Sequence, residues 1–362
     1  MYINLLELCN PKQWKTLATN ELINDGNYNV YGANGIIGKY NKYNHEYPTV
    51  LITCRGATCG NVHLSEPYSY INGNAMSLDN LDESKCLKEY LYYYLKGTDL
   101  SNSISGSAQP QITIQGLKKI NVKIYNLDKQ RKIVSILSSL DNMIICKKKE
   151  IEKCNNLIKS QFVEMFGDPV SNIKKWEKRK LFDKCEIVTG NTPSRKIEAY
   201  YGDYIEWIKS DNIVEDKTYL SKAKEHLSIE GLKMGRYVPE NCILMTCIAG
   251  SLKSIGNIAI TDRVVSFNQQ INGINPKENN VYFMYEQFIL SKEYLHMPVN
   301  MSLKGILSKN QLGNLEFIFP SIELQNKFGK IFEQIDKQKF EFENSLKKLE
   351  ELQASLMQEY FG

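Results

Sequence analysis

The chain has 362 residues, of which 42% are hydrophobic and 24% charged, with a formal net charge of +4. This length and composition predict two or three packed domains. No apolar run reaches the roughly 18–20 residues that a membrane-crossing helix needs, so no such helix is expected. Nine cysteines without a CxxC pair, and four histidines scattered at His45, His63, His226 and His296, argue against a disulfide framework or a zinc module. They predict reduced thiols in a cytoplasm. The small basic excess decides nothing about nucleic acid.

The opening MYINLLELCN carries Glu7 among its apolar residues and has no basic leader, so no secretory signal is expected. YGANGIIGKY, residues 31–40, is rich in glycine. Ala33 stands where a Walker loop needs its first glycine, and Tyr40 follows Lys39 where Ser or Thr is required. The stretch predicts a tight turn between strands. VLITC (50–54) and NVHL (61–64) read as short strands, YLYYYL (90–95) as a helix, and VKIY (122–125) as a further strand.

From residue 133 a 3-4 spacing selects Ile133, Leu137, Leu140, Ile144, Lys147, Ile151, Cys154, Ile158, Gln161 and Met165. That seam predicts a coiled-coil helix of about 38 residues, on the order of 57 Å long. The same order of elements returns. ILMTC (243–247), NIAI (257–260) and LEFIF (315–319) predict strands, and MYEQFIL (284–290) predicts a helix. A second seam runs through Phe328, Phe332, Ile335, Lys339, Phe342, Leu346, Leu349, Gln353, Leu356 and Tyr360.

The recurrence is an internal repeat. Residues 112–167 lie over 307–362 without a gap: Leu117 meets Leu312, Gln130 meets Gln325, Asp141 meets Asp336, and Phe166-Gly167 meets Phe361-Gly362. The front parts correspond more weakly. Trp14, Leu17 and Gly26 are expected to match Trp176, Leu181 and Gly190, with the extra length of the second copy between Gly190 and Thr246. The two seams are expected to pair with each other, antiparallel, with the two modules at opposite ends of a rod.

Catalytic signatures fail one by one. Glu215-Asp216-Lys217 offers the acid-x-lysine element of many nucleases, but no Pro-Asp pair exists to complete it. An amino-methyltransferase motif would need tandem prolines, and only Glu66-Pro67-Tyr68 is present. Cys54 and Cys247 follow strand-like runs with no histidine or basic cluster beside them, so they read as buried structural thiols.

Three stretches carry a resemblance: QPQITIQGLKKINV (109–122), FGDPVSNIKKWEKRKLFDKCEIVTGNTPS (166–194) and YIEWIKSDNI (204–213). With PSIELQ (320–325) before the second helix, the whole chain resembles the specificity (S) subunit of type I restriction–modification systems. Its first copy, YNLDKQ (125–130), departs from that pattern by placing Tyr125 where proline is usual. The expected fold is α+β. It comprises two homologous strand-rich α/β target recognition domains separated by two long helices, which form an antiparallel coiled coil with pseudo-two-fold symmetry. The expected boundaries are 1–125, 126–167, 168–319 and 320–362.

The resemblance implies a cytoplasmic, non-catalytic reader of double-stranded DNA with an asymmetric bipartite target. It implies docking of two modification (methyltransferase) subunits and, through them, restriction (translocase/endonuclease) subunits. S-adenosylmethionine, ATP and Mg would belong to those partners, and neither a cofactor nor a metal is expected in this chain. Candidate DNA contacts, chosen as polar loop residues able to meet base edges or phosphates, are Asn34, Lys39 and Arg55 in the first domain. In the second they are Arg195, Lys209, Asp211, Asn212, Lys253 and Gln269. Lys147, Lys148 and Lys149 read as a solvated helix face or a partner contact. Alternative roles are a specificity partner of a fused methyltransferase–nuclease, a methylation-only system, or a coiled-coil scaffold unrelated to DNA.

Overall fold

The two seams form helices of 40 residues each, Leu127–Phe166 and Ile322–Phe361. Asn126 Oδ1 accepts the Lys129 N–H at the start of the first helix. Gly167 stops it in the left-handed region at φ 77°, donating its N–H to Val163 O, a conformation that favours glycine. The computed structural model describes residues 1–106, 109–299, 301 and 305–362. The chain forms two compact units, one of residues 1–149 and 343–362, the other of residues 150–342. Each unit therefore combines parts of both long helices. Among the described residues, no helix is long and apolar enough to cross a membrane.

In the first unit a four-stranded antiparallel sheet runs in the order Asn10–Gln13, Ala75–Asp79, Val50–Thr53, Val62–Leu64. A second sheet sets Tyr28–Gly32 between its hairpin partner Gly35–Tyr40 and the parallel strand Tyr70–Ile71. The second unit repeats the first of these sheets as Glu186–Thr189, Ile271–Asn275, Ile243–Thr246, Ile258–Ile260. Tyr201–Ile208 there pairs in parallel with Val265–Phe267. VLITC and ILMTC supply the same interior strand of each sheet. All four residues of Val50–Thr53 and of Ile243–Thr246 are buried. A strand covered on both faces needs an unbroken apolar run, and that is why it recurs.

The strand pairing corrects the front alignment. Tyr2–Asn4 pairs with Asn121–Lys123, and Lys178–Lys180 pairs with Glu316–Ile318. The next turns, Leu5–Leu8 and Leu181–Lys184, end with Cys9 N–H on Leu5 O and Cys185 N–H on Leu181 O. Leu181 thus corresponds to Leu5, not to Leu17, and Gly190 lies opposite Trp14 rather than Gly26. Identity was a poor guide because these elements are only three or four residues long. The extra length of the second copy lies in 209–242, compared with 32–49 in the first.

Within each unit the long helices pack antiparallel. In the first, Gln353 Nε2 donates to Asp141 Oδ1 at 2.8 Å, and Lys148 Nζ lies 3.1 Å from Glu350. In the second, Phe162 meets Phe328 edge-on at 5.3 Å, and Cys154 and Ile158 share a core with Phe332 and Ile335. Every seam residue on Ile133, Leu137, Leu140, Ile144, Ile151 and Ile158 is buried or half-buried. The same holds for Phe328, Phe332, Ile335, Phe342, Leu346, Leu349 and Leu356. The buried face is wider than the seam where the first helix ends: Phe162 and Phe166 also pack against Phe283. Its counterpart Phe361 packs on Tyr90 at 5.6 Å in the first unit. Cys54 and Cys247 are buried, and burial pushes the Cys247 thiol up to about 12, which disfavours a nucleophilic thiolate.

Candidate nucleic-acid interface

The second unit gathers three of the polar candidates around one loop, residues 190–195. Gly190 opens it where a Cβ would fall 2.2 Å from Asn268 O and 2.5 Å from Phe267 O, so the backbone approaches the neighbouring strand as only glycine allows. Two aromatic side chains from Tyr201–Ile208 then anchor the loop. Trp207 Nε1 donates to Asn191 O at 3.3 Å, and the Tyr201 hydroxyl donates to Pro193 O at 2.8 Å.

Arg195, at the loop's end, lies over both rings, its guanidinium carbon 5.1 Å from the Tyr201 centroid and 5.3 Å from that of Trp207. Lys209 leaves the end of the same strand and places its Nζ 5.3 Å from the Trp207 ring. Cation–π contacts of this kind hold a cation at a ring while leaving it open to solvent. Glu225 ties the two cations together. One carboxylate oxygen accepts from Arg195 Nη2 at 2.7 Å and the other accepts from Lys209 Nζ. The hydrogen bond from Lys209, opposed by partial burial and reinforced by Arg195, holds the Glu225 carboxyl below its ordinary range. Gln269 joins the group through Thr192, whose hydroxyl donates to Gln269 Oε1. Arg195 and Gln269 are exposed, and Lys209 is half-buried.

Asn212 is a correction to the candidate set. Its side chain is buried and holds its own turn, with Oδ1 accepting from Lys209 N at 3.0 Å and Nδ2 donating to Lys222 O at 3.1 Å. It shapes the Lys209 loop instead of facing solvent. Asp211 beside it is exposed. Lys253 belongs to a different group: its Nζ lies 3.3 Å from Glu215, which also faces Lys292 at 3.6 Å. The residues that the sequence reading missed are Glu225, Trp207, Tyr201 and Thr192. Glu225 lies in the extra segment 209–242, a placement that marks it only after the strand register is known.

In the first unit the structure brings Asn34 and Arg55 onto adjoining loops. The Thr58 hydroxyl donates to Asn34 Oδ1 at 2.8 Å, the Thr53 hydroxyl donates to Ala33 O at 2.7 Å, and the backbone of Arg55 forms an antiparallel β-bridge with that of Gln111. Lys39 is exposed farther along the strand Gly35–Tyr40, paired with Asn29. The strand register makes Asn34 the counterpart of Asp211, Gly32 of Lys209, Thr16 of Thr192 and Gly73 of Gln269. Where the second unit carries Lys209 and Gln269, the first therefore carries two glycines. A Cβ on Gly73 would fall 2.4 Å from Thr16 Oγ1, so the first unit has no room there for the glutamine. Among the described residues, no group of three or more His, Cys, Asp or Glu side chains converges as a metal site.

The family model described as the type I restriction modification DNA specificity domain matches residues 1–156 and 173–354. The specificity subunit of the type I restriction enzyme HindI from Haemophilus influenzae is 27% identical over 168 residues, 44% of this chain and 36% of that protein. The MjaIX specificity subunit of Methanocaldococcus jannaschii is 29% identical over 170 residues, 45% of this chain and 38% of that protein. The chain thus spans little more than a third of the length of these two relatives. The MjaVIII specificity subunit of the same organism is 23% identical over 361 residues, 88% of this chain and 82% of the relative. The solved type I restriction–modification S subunit from M. genitalium shares the fold with a TM-score of 0.65 at 18% identity, over 99% of this chain and 94% of that one. A chain from a structure described for complex assembly and conformational transition of the type I R-M system shares it at 0.55 and 13% identity, over 100% and 97%.

Proposed function

Because this chain belongs to the type I restriction modification DNA specificity family, we propose that it is the non-catalytic DNA-reading subunit of such an assembly. Each unit reads one short half-site of an asymmetric, bipartite target. The observation that carries this reading is the contrast at equivalent positions. One unit offers Arg195, Lys209 and Gln269 around an anchored loop, while the other offers Asn34 and Arg55, with glycines opposite Lys209 and Gln269. Surfaces with different donors on a common framework select different bases. The lysines and arginines around them set register on the phosphates.

Methyltransferase subunits would dock on repeated surfaces, and restriction subunits would join through them. Exposed apolar side chains on the long helices support a partner there: Ile136 and Met143 in the first unit, Phe340 in the second. S-adenosylmethionine, ATP and Mg are assigned to those partners. The test is methylome sequencing of cells that carry this chain and its methyltransferase. A split motif should appear and vanish on deletion of the chain. Replacing residues 1–125 should change one half of the motif only, and simultaneous change of both halves would overturn the reading.

A further inference from the structure

We propose that Arg195 determines specificity by reading a guanine edge in the half-site of the second unit, with Glu225 as its positioning residue. This rests on the DNA-reading role proposed above and adds the base and the side chain.

Three features separate this arginine from a phosphate contact. Its guanidinium carbon lies within cation–π range of two rings, 5.1 Å from Tyr201 and 5.3 Å from Trp207, which, set at 77° to each other, form a corner that holds it before any ligand arrives. The loop that carries it is anchored by hydrogen bonds from those same two side chains. Glu225 places a carboxylate in direct contact with both Arg195 and Lys209. An anionic group beside the cations repels a phosphate, yet orients a planar fork of donors. One N–H of Arg195 Nη2 is committed to Glu225, which leaves the second N–H of Nη2 and those of Nη1 on an exposed side chain as a two-nitrogen fork. Guanine presents two acceptors, O6 and N7, on its major-groove edge and matches such a fork. Adenine puts an amino donor beside N7 and opposes it. Lys209 holds the opposite oxygen of Glu225, so the carboxylate is braced from both sides.

The experiment uses the full chain with its methyltransferase subunit and a duplex library randomised in the half-site that survives replacement of residues 1–125. The native protein should demand guanine at one position there. Arg195→Ala should lose that preference by about 10- to 100-fold while the other half-site stays unchanged. Arg195→Lys should lose it to the same degree, because an ammonium keeps the charge without the fork. Glu225→Gln should relax the same position to a smaller extent, since the brace weakens while the guanidinium remains. Weakening of all sequences alike in Arg195→Ala, retained guanine preference in Arg195→Lys, or no guanine in that half-site would overturn the assignment and leave the DNA-reading role standing. Failure of the native protein to select any split sequence would instead overturn the role beneath it.

Discussion

Glu286 lies on the helix Val281–Leu290 with 5% of its surface exposed, lining a cavity of about 270 Å³ with Lys159, Lys339, Tyr285, Phe332 and Gly256. At the equivalent position of the first unit stands Tyr93, whose hydroxyl donates to Asp141 at 2.7 Å. Asp336, the counterpart of Asp141, accepts from Thr218 instead. Burial pushes the Glu286 carboxyl up to about 7 against the pull of Lys159 and Lys339. Lys339 takes the seam position that Ile144 holds in the first helix, and its Nζ donates to Asp216 O at 3.1 Å. A carboxyl raised in the folded state from 4.5 to about 7 binds its proton more tightly than the unfolded chain does. Its stabilising effect is complete below pH 4.5 and is lost as pH rises through 7. Glu286→Gln should therefore stabilise the protein at pH 8 by at most about 3 kcal/mol, and by little at pH 4. Urea unfolding of both proteins across this range checks it. A difference independent of pH would mean that the two lysines keep the carboxylate ionised throughout.

The two long helices are fastened to their units by one repeated device. Gln130 is fully buried; its Oε1 accepts from Leu87 N at 2.8 Å and its Nε2 donates to Lys85 O and Tyr125 O. Gln325 does the same for Asn280 N at 3.0 Å and for Pro320 O. Leu87 and Asn280 are the residues that open the helices Lys88–Gly97 and Val281–Leu290, so one glutamine joins the start of a long helix to the start of a short one. Removing it strands buried donors and acceptors. Gln130→Ala or Gln325→Ala should each cost roughly 2–4 kcal/mol. Faster hydrogen exchange should appear at Leu87 in the first variant and at Asn280 in the second; unchanged exchange would deny the clamp. The Gln130–Gln325 match was legible in the sequence because a 40-residue helix repeats its pattern over many turns and tolerates no gap. The front strands were not legible in register, since three or four residues carry too little pattern to fix an alignment. Arg195, Lys209 and Gln269 were legible as residue types, but their meeting around Thr192 and Glu225 depends on the parallel pairing of Trp207 with Ser266. No local pattern records that pairing. Asn212 shows the converse error: its residue type suggested a ligand contact, whereas its side chain caps its own turn.

Seen as a whole, the chain does not divide where its sequence repeat does. The second unit is one continuous stretch, 150–342, inserted into a first unit that needs 343–362 to be complete. Phe361 is 7% exposed and packs edge-on against Tyr90 and Tyr94, and the Tyr125 hydroxyl donates to Tyr360 O at 3.2 Å. Gly97 is small enough to admit Met357, whose Cε lies 2.9 Å from where a Cβ would stand. Loss of residues 343–362 removes these side chains from a core formed with Leu91, Leu95 and Leu137, a cost of several large-to-small substitutions at about 2–5 kcal/mol each. Deleting them should therefore unfold the first unit, whose other residues are all numbered below 150, and leave the second unit folded. A fragment of residues 150–342 keeps Phe162, Phe166, Phe328 and Phe332 in one core and should fold by itself. Amide spectra of the truncated chain and of the fragment decide the matter: dispersed resonances from 150–342 in both, with collapse of those from 1–149 in the truncated chain, are expected. If the first unit instead kept its dispersed resonances after the deletion, the return of the second helix would be decoration on a domain already complete.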